Sequence, residues 1–530
     1  MVDEFRFGGV VGARVTRREF LVASLAGAAA VACSGGDGGS NAARSTTTRP
    51  LRVALDGAPF TLGVASGDPR PEAVVLWTRL APKPLDGGGM PDEPVDVVWE
   101  IAADEAFRRI ARRGVATAEP GLAHSLHVDA TGLEPATAYF YRFRVGDETS
   151  PVGSTRTLPA SDSSPERVRF IAATCQDYQG HYYAAWRHAV AEDADFVLFL
   201  GDYIYEFAGP ENPAPNERVH VGGEPMTLAD YRTRYALYRT DAELQAAHAR
   251  FPWISMWDDH EVDNNYAGDV SQDGAPIDAF RERRAAAYRA WWEHMPVRIE
   301  APETAAVPIY QDLAFGDLAK LFVLDERQYG NPPPCRDAST IDFGPGCAER
   351  DDPARGRLGP EQTKWLFDGL ADSTAAWNMI GSGVMFASLD TGKDAEPPSY
   401  FLDLWDGYPA ERARILEHIV DAKVANPVVV SGDYHASFVN DVVGPAAGAA
   451  VATEFVTPAI SSSVFGEDYT ARNPHVKYFE GLNGYMLCEL DRERFRASFR
   501  YVGDTKDPQA VLEQGPEWEV VSGTPGARQV

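Results

Sequence analysis

Cysteine is scarce in this chain, five among 530 residues, too few for a disulfide scaffold. Beyond Ala32 no run of about 18 apolar residues occurs, so no later segment reads as a membrane span. Basic residues are few: Lys and Arg number 49 against 78 Asp and Glu, a net charge of −29. Such a field repels phosphate polymers, which excludes a nucleic-acid-binding surface and disfavours an anionic membrane. The His-Glu-x-x-His pattern of zinc peptidases is absent. No internal repeat marks a solenoid. Disorder is excluded too, since 44% of residues are apolar and 24% charged, as in ordinary globular chains. The 11 Trp and 21 Tyr supply large cores, and the length leaves room for about two to four domains of ~100–200 residues.

Residues 1–50 read as a targeting segment. Thr16-Arg17-Arg18-Glu19-Phe20-Leu21 has the twin-arginine form, and the apolar run from Leu21 to Ala32 is too short to span a bilayer. The expected route is export by the twin-arginine translocase to a periplasmic, extracellular or cell-surface location. Ala30-Val31-Ala32-Cys33 leaves two endings open: simple cleavage, or lipidation of Cys33 with a surface anchor. The Gly-, Ser- and Thr-rich stretch 34–49 is a flexible tether in both cases.

Residues 51–158 carry short strand-like runs, at 74–77, 95–100 and 139–145, separated by turns. This pattern predicts a fibronectin-type-III-like β-sandwich. A Pro- and Ser-rich linker follows at 158–166. The style then changes: buried strand 168–173, helix 183–191 and buried strand 196–200 form a βαβ unit. Further apolar strands at 321–324, 378–380 and 428–430 alternate with helical stretches at 281–294 and 411–424. The fold class is thus α+β and α/β, with an α/β domain over 166–512 and a loose tail predicted at 513–530.

Potential metal ligands follow four of these strands. Cys175 comes after the first, Asp202 and Tyr205 after the second, Asp259, His260 and Asn265 after residues 254–257, and Asp433 and His435 after the strand at 428–430. Singly each has a bland explanation: Asp202 as a cap, Cys175 as a small buried apolar group, His435 as a satisfied core histidine. Together they match the rule that α/β sheets bind ligands beyond the carboxyl ends of their strands. Cys175, Tyr205 and His435 suit a transition metal such as ferric iron. Asp202, Asp259, Asn265 and Asp433 suit a hard cation: calcium, manganese or magnesium. Asp202 has two oxygens with which to bridge two ions. Such a pair clamps phosphate, activates water, and reverses the local field of an acidic chain.

The segments GDYIYE (201–206), WDDHEVDNN (257–265) and SGDYHAS (431–437) resemble the motifs of PhoD-type alkaline phosphatases and phosphodiesterases, within the calcineurin-like metallophosphoesterases. LDERQYG (324–330), WDGYPAER (405–412) and EFVTPAISS (454–462) extend the resemblance over nearly the whole chain. It implies a four-layer α/β/β/α metallophosphatase core and an Fe(III) centre with Ca(II). Cys175, Asp202, Tyr205 and His435 would hold iron, while Asp202, Asp259, Asn265 and Asp433 would face calcium. His260 would orient Asp202 or protonate the leaving oxygen. Arg327 would be a bidentate phosphate clamp or else a surface salt bridge. One departure stands out: the superfamily usually has another metal-binding His where this chain reads Ile380-Gly381-Ser382-Gly383-Val384-Met385.

The implied activity is hydrolysis of small phosphate mono- and diesters. A phospholipase D-like diesterase acting on phospholipid is the alternative, and a non-enzymatic binding protein the rival from another class. Oligomeric state is left open. Cys335 and Cys347 are expected to pair in an oxidising compartment, and Cys488 to be buried and inert.

Overall fold

A computed structural model of the protein describes residues 57–530 apart from 180–181, 212, 214–216, 336–342, 394–395 and 445–447. The targeting segment and tether predicted at 1–50, with Cys33, lie outside the described residues. Among the described residues, no helix is long and apolar enough to cross a membrane.

Two large mixed sheets organise the chain. The ten-stranded sheet runs in the order Thr524–Gln529, Leu512–Val521, Arg494–Val502, Asn483–Leu490, Val168–Ala173, Phe196–Leu200, Pro252–Met256, Val64–Arg70, Ala73–Arg79, Ser125–Thr131. The seven-stranded sheet runs Gln311–Phe315, Ala319–Val323, Trp377–Val384, Pro427–Gly432, Ala450–Val456, Ser437–Val443, Val476–Glu480. At the heart of each sheet the strands are parallel and buried on both faces, which is why they read as unbroken apolar runs.

Alternation along the strands sorts their side chains into two cores. Leu321, Val323, Met379, Val428 and Val430 pack with Phe170, Leu198 and Ile254 of the first sheet. Phe322, Leu324, Ile380 and Val429 face the other way, onto Leu366 and Leu370 of helix Gly359–Ala371 and Ile415 and Ile419 of helix Pro409–Asp421. Helices Leu228–Arg239 and Ile277–His294 pack Tyr231, Tyr235, Tyr288 and Trp291 against the first sheet's core. Near the carboxyl ends the two sheets touch: Thr174 bridges Ala459 in parallel, and Thr457 Oγ1 donates to the Ala172 carbonyl.

Two expectations are corrected. The N-terminal strands pack as two layers on a shared core, but one of those layers is not separate from the α/β part of the chain. Val64–Arg70 pairs in parallel with Pro252–Met256, so one layer of the N-terminal half is the continuation of the large sheet. Gly67 permits the approach, because a Cβ there would lie 2.3 Å from the Pro296 carbonyl oxygen. The second layer, built on Val95–Ala102, Ile110–Ala118 and Ala138–Val145, covers it through Val97, Ile101, Tyr141 and Phe143. The chain after Glu513 is no loose tail either. Leu512–Val521 and Thr524–Gln529 form the edge hairpin of the ten-stranded sheet, with Trp518 and Val520 in the core. Its polar outer face, where Glu519 pairs with Arg528 and Arg494, hid it from a reading by hydropathy.

The disulfide Cys335–Cys347 is formed, and Cys488 is a buried free thiol. Trp518→Ala should cost about 3 kcal/mol, read as a lower midpoint in chemical denaturation. An unshifted midpoint would return this segment to the status of a dispensable tail.

Candidate metal centre

The strand ends that carry ligands leave the sheet through unusual backbone. Cys175, Asp202, Asn265, Asp433 and His435 all have positive φ, between 52° and 65°, a region that side chains with a Cβ rarely adopt. Such strain persists where the surroundings over-determine it and clusters at functional sites. Gly201 is required for closeness, since a Cβ there would stand 2.5 Å from the Asp258 Cβ. Glu261 fastens both strand ends together, accepting the backbone N–H groups of Asp202 (3.1 Å), Tyr203 (2.7 Å) and Asp258 (2.8 Å).

Three groups of ligand atoms result, each within 4.8 Å: Cys175, Asp202 and His435; Asp202, Asp259 and His260; and Asp202, Asp258, Asp259 and Asp433. Asp202 belongs to all three. Tyr205 joins the first, its hydroxyl donating to Asp202 Oδ2 at 2.9 Å and standing 3.1 Å from His435 Nε2. The Asn265 backbone N–H donates to Asp259 Oδ2 at 2.6 Å, which keeps that residue beside the cluster. The His435 Nδ1–H donates to the Ser463 carbonyl at 2.8 Å, so Nε2 carries the lone pair that faces the cluster.

Burial sets the protonation states. It pushes the carboxyls of Asp202 and Asp433 well above the usual range, and neighbouring Asp258 and Asp259 add to the effect. Burial likewise raises the Cys175 thiol and the Tyr205 hydroxyl, with Asp202 reinforcing both. His435 is held neutral, its pKa lowered by burial to about 4. Two groups resist the trend. Burial opposes charge on His260, yet Glu206, Asp259 and Asp202 hold it well above its ordinary value. Burial also opposes the Asp259 carboxylate, but Arg327 and His260 bring it down to about 2.

The residues fit cations. Asp202 Oδ1, Asp258 Oδ2 and Asp433 Oδ2 are buried without a hydrogen-bond partner among the described residues, and Asp259 Oδ1 has only Arg327 Nη2 at 3.3 Å. Buried polar atoms are nearly always satisfied, and orphaned carboxylate oxygens converging on one point ask for a hard ion. Thiol, phenol and imidazole beside Asp202 form a softer set.

Several residues in the site were not predicted from sequence. Asp258 stands in the acidic group, signalled only by its place in the doublet with Asp259. Glu206 accepts from His260 Nδ1 at 2.7 Å and from the Asn264 N–H at 2.9 Å; its signal was its place in GDYIYE. Arg327 corrects an expectation. It is 1% exposed and spent on three carboxylates: Nε donates to Asp258 and Nη1 to Asp403 at 2.7 Å, while Nη2 lies 3.3 Å from Asp259. A guanidinium so engaged holds the acids together and is neither a phosphate clamp nor a surface salt bridge. The segment 380–385, which offers no histidine, runs close to the acidic group: a Cβ on Gly383 would meet Asp258 Oδ1 at 3.3 Å and Glu326 Oε2 at 3.4 Å.

Acids that could hold cations are gathered where the two sheets meet, an arrangement suited to phosphate, and comparison with known proteins places the chain among hydrolases of phosphate esters. It is 44% identical over 485 residues to alkaline phosphatase D of Bacillus subtilis (strain 168), covering 89% of this chain and 82% of that protein. A solved structure described as the structure of PhoD superposes with a TM-score of 0.86 at 43% identity, over 90% of this chain and 93% of that one. The PhoD-like phosphatase model matches residues 170–499, and that of the PhoD-like N-terminal domain matches 45–159. The chain belongs to the PhoD-like phosphatase family.

Arg327→Met should destabilise the fold by about 3–5 kcal/mol, because three buried carboxylates lose their partner; the check is a denaturant titration. The metal-free protein should also lose stability as pH rises. Asp202 and Asp433 keep protons that the unfolded chain releases near pH 4, and His260 keeps one that the unfolded chain releases near pH 6.5. Folding thus binds protons, and its contribution falls as pH climbs from these unfolded values toward the folded ones. Below about pH 6.5 the buried histidines whose pKa burial lowers, His435 among them, oppose this trend, so melting temperatures of chelated protein should decline from about pH 7 to pH 9. Restoring metal should flatten that slope.

Proposed function

We propose that the chain is an exported metal-dependent alkaline phosphatase and phosphodiesterase, hydrolysing phosphate mono- and diesters at a mixed iron(III) and calcium site. The observation that carries this reading is the sharing of Asp202 among all three ligand groups. Cys175, Asp202, Tyr205 and His435 would hold iron(III). Asp202, Asp259, Asn265 and Asp433 would face calcium, with Asp258 as a further oxygen donor. Bound there, the ions would draw charge from the phosphate oxygens and lower the pKa of an attacking water.

The remaining roles fall to the chain itself. His260, kept protonated and oriented by Glu206, would hand a proton to the leaving oxygen. Arg327 would keep Asp258 and Asp259 from repelling each other apart. Glu261 would hold the loops after 200 and 256 in register. The division of side chains between two cores, with helices on their outer sides, supports the four-layer α/β/β/α reading. Export rests on the twin-arginine pattern at 16–21, and the Cys335–Cys347 disulfide agrees with an oxidising compartment. Lipidation at Cys33 stays an open variant of the same route.

The test is metal analysis with a visible spectrum on protein purified without added metal. Iron with calcium and a tyrosinate-to-iron charge-transfer band are expected, and Cys175→Ala should lose iron and the band. Zinc alone, or wild-type iron in Cys175→Ala, would overturn the ligand assignment.

A further inference from the structure

Most large apolar side chains exposed on this protein stand singly, which needs no explanation. Phe207 and Phe465 differ. They are 47% and 43% exposed, and each rests against a histidine of the site. The Phe207 ring meets the His260 ring edge-on at 5.1 Å. The Phe465 ring stacks on the His435 ring at 5.5 Å with 13° between planes. His260 and His435 in turn flank Tyr205, at 4.2 and 6.4 Å. Five rings thus form one band: it surfaces at Phe207, passes through the ligand groups around Asp202, and surfaces again at Phe465. Val464, 37% exposed, widens the second end.

A phosphate held among the ligand groups would present its organic group toward solvent, where the exposed rings of Phe207 and Phe465 lie beside His260 and His435. Phenyl faces there offer that group dispersion contact and removal from water. The rings themselves offer no charge to a polar or ionic alcohol. The two rings are linked through His260, Tyr205 and His435. With a net charge of −29 on the chain, a single ester molecule is a better occupant than an anionic bilayer.

We propose that Phe207 and Phe465 form a subsite for the apolar organic group of a phosphate ester and set preference for such esters over polar ones. This rests on the reading of the Asp202 cluster as the hydrolytic site. The test compares kcat/KM for benzyl phosphate and glycerol phosphate, both alkyl esters, in metal-loaded wild type and in Phe207→Ala, Phe465→Ala and the double variant. Each single change should lower the benzyl-to-glycerol ratio about fivefold, mainly through KM, as expected for half-burying one ring. Phe207→Leu and Phe465→Leu should recover most of the ratio, since an apolar surface remains. An unchanged ratio, whether both activities fall together or neither moves, would overturn the subsite while leaving the hydrolytic site intact. Wild type that releases phosphate from neither ester would overturn the site reading and the subsite with it. A larger gain on vesicles of anionic phospholipid than on benzyl phosphate would replace the single-ester occupant with a membrane surface.

Discussion

Negative charge packed into a buried space is the constraint around which this structure is arranged. Asp202, Asp258, Asp259 and Asp433 are drawn together at the strand ends; His260 lies among them, and Arg327 ties Asp258 and Asp259 to Asp403. Two like charges at about 4 Å repel by ~4 kcal/mol in an effective dielectric of 20. Several such pairs would open the loops unless something held them. What holds them is visible: left-handed backbone at five positions, a glycine where two loops nearly touch, and Glu261 bonded to three backbone N–H groups. The scaffold opposes the electrostatics, and bound cations would relieve it.

Hydrogen-bond satisfaction separates two kinds of buried acid here. Glu326 accepts from Ser382, the Gly383 N–H and the Trp405 indole. Glu454 accepts from the Phe386 and Ala387 N–H groups, Ser431 and Asn440. Both are filled with donors and fix loops. Asp202, Asp258 and Asp433 each retain an oxygen without one, and Asp259 Oδ1 has only Arg327 Nη2. The same residue types therefore do opposite work, and the difference is set by whether the backbone supplies N–H groups to meet them.

That distinction marks where sequence reading succeeds and stops. Cys175, Asp202, Tyr205, Asp433 and His435 were legible because each follows a buried parallel strand, whose apolar run is a strong local signal and whose carboxyl end is where ligands bind. Arg327 was misread because its partner Asp403 lies 76 residues further on, and a guanidinium looks alike in sequence whether it faces phosphate or buried acid. The absent histidine near Gly383 was noticed, but the closeness of that segment to Asp258 and Glu326 is a matter of distance that no sequence pattern shows. The joining of Val64–Arg70 to Pro252–Met256 was invisible for a similar reason, since parallel pairing between remote segments leaves no local pattern. The final hairpin escaped because an edge strand needs only one apolar face, and its other face is charged.

Protons connect the stability of this site with its chemistry. Cys175 and Tyr205 are held protonated by burial and by Asp202, and Asp202 and Asp433 by burial and by their acidic neighbours. All could act as ligands only after those protons leave, so cation binding there would release protons and strengthen as pH rises. The metal-free fold behaves in the opposite sense: raising pH forces the same carboxyls to ionise against one another and weakens it. These are two sides of one linkage. A site that is least stable empty at alkaline pH is most avid for cations there, because what destabilises the empty cluster is the charge that binds the ion. If the cluster binds cations as proposed, an alkaline working range would follow from crowding acids around Asp202, without any group having to be tuned for it separately.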